Sequence, residues 1–256
     1  MNILIKFFPI NSNRRNIVKF FYKILTFNFH HTNTLYTNTL SMYNEILKNS
    51  NFIFDVGANI GIKTEMYLKY GCKVVAIEPQ GSCIRILEKK FRNNENVIII
   101  QNALGEQEGE SKLFVCNEAP TLSTMTNKWR NGRFSNYKFK EDIIVNVITI
   151  DKLIERFGTP DFIKIDVEGF EESVIKGLTN KNVNFISYEF TAEFFEDAEK
   201  ILYYLKNNLD YTKFNFATDE EDLYFKEWVS IDKIISEIKT KIQLDKFLWG
   251  DIYAQR

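Results

Sequence analysis

Cysteine, proline and long hydrophobic runs are scarce in this sequence, and each scarcity excludes a class of protein. Of the 256 residues, three are cysteine and four are proline. Cys72, Cys83 and Cys116 lack metal-ligand spacing and are too few for a disulfide framework, which favours reduced thiols. No stretch reaches the roughly 18 apolar residues that a membrane span requires. The start also lacks the apolar segment and cleavage site of a secretory signal, so we expect a cytoplasmic protein.

An excess of charge of one sign is absent as well. Lys and Arg number 33 against 34 Asp and Glu, so the chain has no overall attraction to nucleic acid, which we exclude as a partner. Residues 1–50 nevertheless hold six basic residues and one acidic residue, with apolar residues at helical spacing. We expect a basic helical N-terminal extension over 1–50, before a domain over 51–256. This helix would pack on the domain or on a second subunit, or rest on an anionic membrane surface.

From residue 51 onward, short apolar runs alternate with amphipathic segments. This alternation predicts an α/β fold with a parallel sheet that helices cover on both faces. Ligands of such sheets bind at the carboxyl ends of the strands, where the strand order switches. The predicted strands lie over residues 51–56, 72–77, 97–101, 161–166 and 185–189.

The alternation fails between residues 110 and 149. Two further strands are predicted over 111–116 and 142–149, separated by a long polar loop. A loop of this length inside a compact domain is usually functional or disordered. We expect a substrate lid, because the loop mixes aromatic and basic side chains, among them Trp129, Arg130, Arg133 and Tyr137.

A glycine turn follows the first predicted strand, in the motif Asp55-Val-Gly-Ala-Asn-Ile-Gly61. Gly57 allows the backbone to turn sharply, and Gly61 lets the next helix begin close to a ligand. Glu78 closes the second strand, where its carboxylate can accept both hydroxyls of a ribose. The two features together predict a ribosyl ligand, and Asn102, after the third strand, is placed to lie near a base. The glycine spacing differs from the Gly-x-Gly-x-x-Gly of dinucleotide folds.

Four motifs resemble the FkbM family of S-adenosylmethionine-dependent methyltransferases. They are the glycine turn, Ala76-Ile-Glu-Pro79, Asn102-Ala-Leu-Gly105 and, above all, Ile163-Lys-Ile-Asp-Val-Glu-Gly-Phe-Glu171. The resemblance covers about residues 51–254. It implies a Rossmann-like, seven-stranded class I methyltransferase sheet, S-adenosylmethionine as the methyl donor and a hydroxyl oxygen as the acceptor. Family substrates are often sugars of polysaccharides or glycolipids.

The resemblance also assigns cofactor contacts to this sequence. The turn from Asp55 to Gly61, with Gly57 and Asn59, would cradle the methionine part of the cofactor. Glu78 would hold the ribose, and Asn102 and Ala103 would flank the adenine. Asp166 would stand beside the sulfonium or the acceptor.

The fourth-strand motif indicates chemistry independently of any family. Alternation along the strand places Lys164 and Asp166 on one side, near the predicted ligand edge. A sugar hydroxyl must lose a proton during methyl transfer, and a carboxylate within reach can accept it. Glu168 is the first candidate for this base and Asp166 the second, with Lys164 keeping Asp166 ionised or steering an anionic substrate. The structural alternatives are a Lys164–Asp166 ion pair and a helix N-terminal charge at Glu168.

Glu189 adds a third carboxylate at the same edge and a candidate contact to the substrate. Asp166, Glu168 and Glu189 together offer the oxygen ligands that Mg²⁺ or Mn²⁺ prefer. The spacing of these residues matches no metal-binding motif, so we predict no metal site. The sequence does not decide whether the reaction requires a divalent cation.

These observations predict an O-methyltransferase that acts on a sugar or sugar nucleotide of surface polysaccharide biosynthesis. Arg130 and Arg133 would grip a diphosphate. The alternatives are methylation of a lipid or macrolide-type metabolite, a nicotinamide-dependent oxidoreductase, and a non-enzymatic domain. A homo-oligomer is compatible with each of them.

Overall fold

The computed structural model describes residues 46–48, 50–116, 120–131, 137–218 and 222–256. The predicted helix near the N-terminus and Arg133 lie outside these residues, as does the side chain of Trp129. Within the described residues, no helix has the length and apolar character needed to cross a membrane. Ile46 and Leu47 are buried against Tyr67 and Phe162, so packing of the domain already includes residues before 51.

The described strands and helices alternate along most of the chain. The strands are β1 (Phe52–Val56), β2 (Lys73–Ile77), β3 (Val97–Ile100), β4 (Ala103–Leu104), β5 (Gly109–Cys116), β6 (Phe139–Ile148), β7 (Phe162–Ile165), β8 (Phe185–Thr191), β9 (Lys213–Thr218) and β10 (Trp249–Gln255). The α-helices are α1 (Ile62–Lys69), α2 (Gly81–Lys90), α3 (Asn127–Asn131), α4 (Ile150–Phe157), α5 (Glu171–Lys176), α6 (Phe195–Leu209) and α7 (Ile231–Leu244).

Seven strands form one sheet in the order β3-β2-β1-β7-β8-β10-β9. Neighbours from β3 to β8 pair in parallel, and β10 is antiparallel to both β8 and β9. The strand order switches between β1 and β7, which are neighbours in the sheet but far apart in sequence. The predicted seven-stranded α/β sheet is confirmed, and the switch point places a ligand crevice at the carboxyl ends of these strands.

Helices cover both faces of this sheet because its central strands are apolar on both sides. Phe54 and Ile163 belong to one hydrophobic cluster, which includes the buried faces of α4, α6 and α7. Their neighbours Ile53 and Phe162 face the opposite way, into a cluster with residues of α1. The sheet is therefore a buried layer, and its polar residues gather at the strand ends.

A second, three-stranded sheet has the order β4-β6-β5. Its long β5–β6 antiparallel pair confirms both strands predicted between residues 110 and 149. The polar segment between them is only partly irregular, because it contains a 3₁₀ helix at Pro120–Leu122 and the helix α3. The predicted loop is therefore partly helical in these residues, and its role as a substrate lid stays a prediction.

Candidate functional site

The glycine turn after β1 is built by three residues in the left-handed backbone region, Gly57, Asn59 and Gly61. Gly57 has a φ of 79° and Gly61 has a φ of 77°, a conformation that glycine adopts without a steric penalty. A Cβ atom on Gly57 would lie 1.8 Å from the carbonyl oxygen of Asp166. The turn and the end of β7 therefore touch through backbone alone, and only glycine fits at this position.

The carboxylate of Glu78 shapes the same turn from the end of β2. Its Oε2 accepts a hydrogen bond from the backbone N–H of Asn59, and its Oε1 accepts one from Gln80, both at 2.9 Å. The N–H groups of Gly57 and Ala58 donate to the carbonyl oxygen of Ile77. These N–H groups already have partners, so an anionic part of a ligand would rely on those at the start of α1.

Burial of Glu78, which is 3% exposed, has a consequence for stability. Burial raises the pKa of its carboxyl to about 7, against the lowering effect of the two backbone hydrogen bonds. The folded state therefore holds this proton more tightly than the unfolded state, whose carboxyl has an ordinary pKa near 4.5. The resulting stabilisation is complete below pH 4.5 and is lost as the pH rises to about 7.

We expect the free energy of unfolding to fall by roughly 3 kcal/mol from this group between pH 4.5 and 8. Glu78→Gln should remove that part of the pH dependence, while exposed Glu88→Gln on α2 should retain it. Urea unfolding at several pH values measures the slope. A Gln amide cannot accept both backbone hydrogen bonds, so the substitution also changes the absolute free energy of unfolding. The pH slope is therefore compared, and not the absolute value. Identical slopes in the wild type and Glu78→Gln would show that Glu78 is not the titrating group.

Asp55 is buried beside the glycine turn and accepts a hydrogen bond at its Oδ2 from the hydroxyl of Thr64, at 2.5 Å. Its Oδ1 is buried and finds no hydrogen-bond donor among the described residues. Burial raises the pKa of Asp55, opposed by the charge of Lys164 and by the Thr64 hydroxyl. This carboxylate oxygen at the switch point could accept a hydrogen bond from a polar or positively charged group of a ligand.

Lys164 is the central positive charge of the site. It is 3% exposed and forms an ion pair with Asp166, which confirms that the two side chains share one side of β7. Burial alone would lower the pKa of Lys164, but the negative charges of Asp166, Asp251 and Asp55 outweigh burial and raise it. Lys164 therefore stays protonated. The ion pair fixes Asp166 at the strand end.

Three carboxylates gather next to this lysine. Oxygen atoms of Asp166, Glu168 and Glu189 all lie within 4.8 Å of one another, and we call these residues the carboxylate cluster. Burial raises the pKa of Glu168, and the charges of Asp166 and Glu171 raise it further. The pKa of Glu189 rises through burial and through Glu168 and Asp166. The cluster therefore attracts protons or cations, and the possibility of a divalent cation there stays a prediction.

Glu168 occupies a strained position, with a φ of 56° in a residue that has a side chain. Two contacts hold its turn. The hydroxyl of Thr124 donates to the carbonyl oxygen of Glu168 at 2.7 Å, and the carboxylate of Glu171 accepts from the N–H groups of Val167 and Gly169, both at 3.1 Å. The carboxylate of Glu171, and not that of Glu168, accepts the backbone hydrogen bonds at the start of α5. The carboxylate of Glu168 is therefore available to take part in the carboxylate cluster.

The sequence did not predict the parts that Thr124 and Glu171 play. Glu171 ends the fourth-strand motif, so its presence was visible but its hydrogen bonds were not. Thr124 lies 44 residues before Glu168, and no local pattern links the two. Gln80 was also missed: its Oε1 accepts a hydrogen bond from the hydroxyl of Ser123 at 3.0 Å, which joins the Glu78 loop to the segment before α3.

The predicted adenine contacts lie at the junction of the two sheets. Asn102 donates through its side-chain amide to the carbonyl oxygen of Asn146 at 3.3 Å. The side chain of Ala103 is buried in the small cluster that includes Leu113 and Val147. Any contact from Ala103 to an adenine ring would therefore be made by its backbone.

Of the predicted lid residues, the structure describes the side chains of Arg130 and Tyr137. The guanidinium of Arg130 lies 4.2 Å from the ring centroid of Phe114 and 5.4 Å from that of Phe139. Tyr137 is half-buried. Lys128 of the same segment, which was not predicted, pairs with Asp197. Glu189 is the one predicted substrate residue that lies in the carboxylate cluster.

Comparison with known proteins gives a match over most of this site. The methyltransferase FkbM domain profile matches residues 55–228, a span that contains the glycine turn, Glu78 and the carboxylate cluster. The hexuronic acid methyltransferase AglP of Haloferax volcanii is 28% identical over 173 residues, which cover 65% of this chain and 67% of AglP.

Two solved structures show weaker likeness. The plantazolicin methyltransferase BpumL, solved with a desmethylPZN analog and SAH, is 13% identical with a TM-score of 0.45, over 96% of this chain and 92% of that chain. The precorrin-6y C5,15-methyltransferase of Geobacter metallireducens is 10% identical with a TM-score of 0.43, over 89% and 90%. TM-scores below 0.5 support no inference about function.

Proposed function

This chain belongs to the FkbM methyltransferase family, and we propose that it methylates a hydroxyl oxygen of a sugar or sugar nucleotide. The resemblance deduced from its motifs is confirmed, and the protein is an S-adenosylmethionine-dependent methyltransferase. The family match favours this activity over a nicotinamide-dependent oxidoreductase. The name of the relative AglP, a hexuronic acid methyltransferase, supports a sugar as the acceptor.

The residues at the switch point fit S-adenosylmethionine. This cofactor, when bound, supplies an electrophilic methyl group on a positively charged sulfur. The three carboxyl groups of the carboxylate cluster and that of Asp55 outnumber the ammonium group of Lys164. This edge of the sheet therefore favours a positive charge. Next to Asp166, the glycine turn presents only backbone atoms, because Gly57 has no side chain. Each oxygen of Glu78 accepts one backbone hydrogen bond, which leaves capacity to accept ribose hydroxyls.

The single observation that supports hydroxyl methylation is the position of Glu168 in the carboxylate cluster. A hydroxyl oxygen must lose its proton as it forms a bond to the methyl carbon. Glu168 is held at the strand end by Thr124 and Glu171, and its raised pKa makes it a stronger base than an ordinary carboxylate. In this mechanism Glu168 takes the proton, and Lys164 holds Asp166 in place through their ion pair.

Methyl transfer to a panel of acceptors tests this function. The full chain is incubated with methyl-labelled S-adenosylmethionine and with neutral, amino and acidic sugar nucleotides, a lipid and a macrolactone. We expect a methyl ether of a sugar, identified by mass spectrometry and NMR. Turnover measured with and without EDTA shows whether the carboxylate cluster requires a divalent cation. Methylation of the lipid or macrolactone alone would overturn the sugar assignment.

The place of this reaction in the cell is part of the same proposal. A methylated sugar is a fitting component of a capsule or lipopolysaccharide, and a cytoplasmic enzyme would meet its sugar-nucleotide precursor. Contact of the basic residues 1–50 with a membrane surface and assembly into a homo-oligomer remain predictions from the sequence.

A further inference from the structure

A pocket lies beside the carboxylate cluster, beyond the carboxyl end of β8. It is open to solvent, and its empty space, counted out to the mouth, is about 510 Å³. Its walls come from α3, the start of α5, the end of β8 and the start of α6. Glu189 belongs both to this pocket and to the carboxylate cluster, so the pocket adjoins the proposed base.

One buried group in the pocket lacks a hydrogen-bond partner. Thr191 is 6% exposed, and its hydroxyl has no partner among the described residues. Thr191 and Glu189 lie two positions apart on β8, so their side chains share one face, and both line the pocket. An unsatisfied buried hydroxyl is unusual in a folded protein, and rotation of the Thr191 side chain toward the pocket would let a ligand hydroxyl pair with it.

An aromatic ring forms part of the outer wall. Phe194 lines the pocket, and the ammonium of Lys128 lies 4.7 Å from its ring centroid. A partly exposed ring next to hydrogen-bonding groups suits a pyranose, which presents apolar C–H groups on one face and hydroxyls at its edge.

The charge of the pocket distinguishes between classes of sugar. Four carboxylates line the pocket, those of Glu171, Glu172, Glu189 and Asp197. Among the described lining residues, the basic residue is Lys128. Lys128 is already paired with Asp197. A uronate carboxylate would therefore meet like charges, whereas hydroxyl or ammonium groups would find acceptors.

We infer that this pocket is the acceptor subsite and that it takes a sugar residue without a negative charge. The inference rests on the proposed function, because it names the substrate class of the same site. Hydroxyls of the sugar bond to Thr191 and Glu189, Phe194 packs against its ring, and the reacting hydroxyl is directed toward Glu168.

Binding of three matched probes tests the inference on the full chain loaded with S-adenosylhomocysteine. The probes are methyl glucoside, methyl glucosaminide and methyl glucuronoside, measured by NMR titration. We expect the first two to bind at least about tenfold more tightly than the glucuronoside. Asp197→Asn, which releases Lys128, should raise glucuronoside affinity severalfold. Equal or tighter binding of the glucuronoside to the unaltered chain would overturn the inference.

Two variants with matched controls locate the subsite. Thr191→Val and Phe194→Ala should each weaken glucoside binding by about 3- to 10-fold and leave S-adenosylhomocysteine affinity unchanged. Thr212→Val and Phe247→Ala, on exposed residues elsewhere, should change neither. If sugar methylation proceeds but both variants behave like their controls, the pocket is not the subsite and the proposed function stands. If no sugar is methylated, the proposed function itself fails.

Discussion

Glu168→Gln should lower turnover by about 10²- to 10⁴-fold, the usual contribution of a general base. The substitution keeps the size of the side chain but removes the carboxylate that accepts the hydroxyl proton. Affinity for S-adenosylhomocysteine should change little, because its sulfur carries no charge for Glu168 to attract. Single-turnover methyl transfer and calorimetry on the same preparations separate these two effects.

The pH profile adds an independent readout of the same residue. Burial and the charges of Asp166 and Glu171 raise the pKa of Glu168, and the base works only when deprotonated. The wild-type rate should therefore increase with pH until the carboxyl has lost its proton, and Glu168→Gln should lose this dependence. Glu155→Gln, on an exposed residue of α4, is the control. Wild-type turnover in Glu168→Gln would remove Glu168 from the mechanism.

Gly57→Val should abolish cofactor binding at concentrations that saturate the wild type. A Cβ atom at this position collides with the carbonyl oxygen of Asp166, so β1 and β7 must separate at the point where the cofactor binds. The backbone φ of 79° adds strain of roughly 1–2 kcal/mol for a residue with a side chain. Calorimetry with S-adenosylhomocysteine measures the loss, and circular dichroism checks the fold.

Gly71→Val separates backbone strain from the collision. Gly71 has a φ of 81°, and a Cβ atom there would meet nothing within 4 Å. Gly71→Val should lose about as much stability as backbone strain costs at Gly57. It should keep wild-type cofactor affinity. Weak binding in both variants would mean that general destabilisation, and not the glycine turn, explains the effect. Unchanged affinity in a folded Gly57→Val would place the cofactor elsewhere.

Local sequence patterns were sufficient to predict the parallel strands of the main sheet and the acids at their ends. A parallel strand buried on both faces is apolar along its length, so Asp55, Glu78 and Asp166 stand out where they occur. The rule that ligands bind at the carboxyl ends of such strands then brings them together. Glu189 was placed at the same edge by this rule alone, and the structure puts its carboxylate in the cluster.

Other features depend on contacts between distant segments and left no local signal. The hydrogen bond from Thr124 to Glu168 joins the segment between β5 and β6 to the turn between β7 and α5. Arg130 was expected to be free to bind phosphate, but its guanidinium packs near Phe114 and Phe139. Lys128 escaped notice because the polar segment around it was not expected to form α3. The antiparallel insertion of β10 between β8 and β9 is likewise a choice of partner that strand composition does not determine.

The most direct test of the account is a crystal structure of the full chain with S-adenosylhomocysteine. We expect the sulfur to lie over the carboxyl ends of β1 and β7, with Glu78 at the ribose hydroxyls. The side of the sulfur that would carry the methyl group should face Glu168 and the pocket that contains Thr191. A sulfur that points away from the carboxylate cluster, or a crevice filled by the protein's own side chains, would contradict the account.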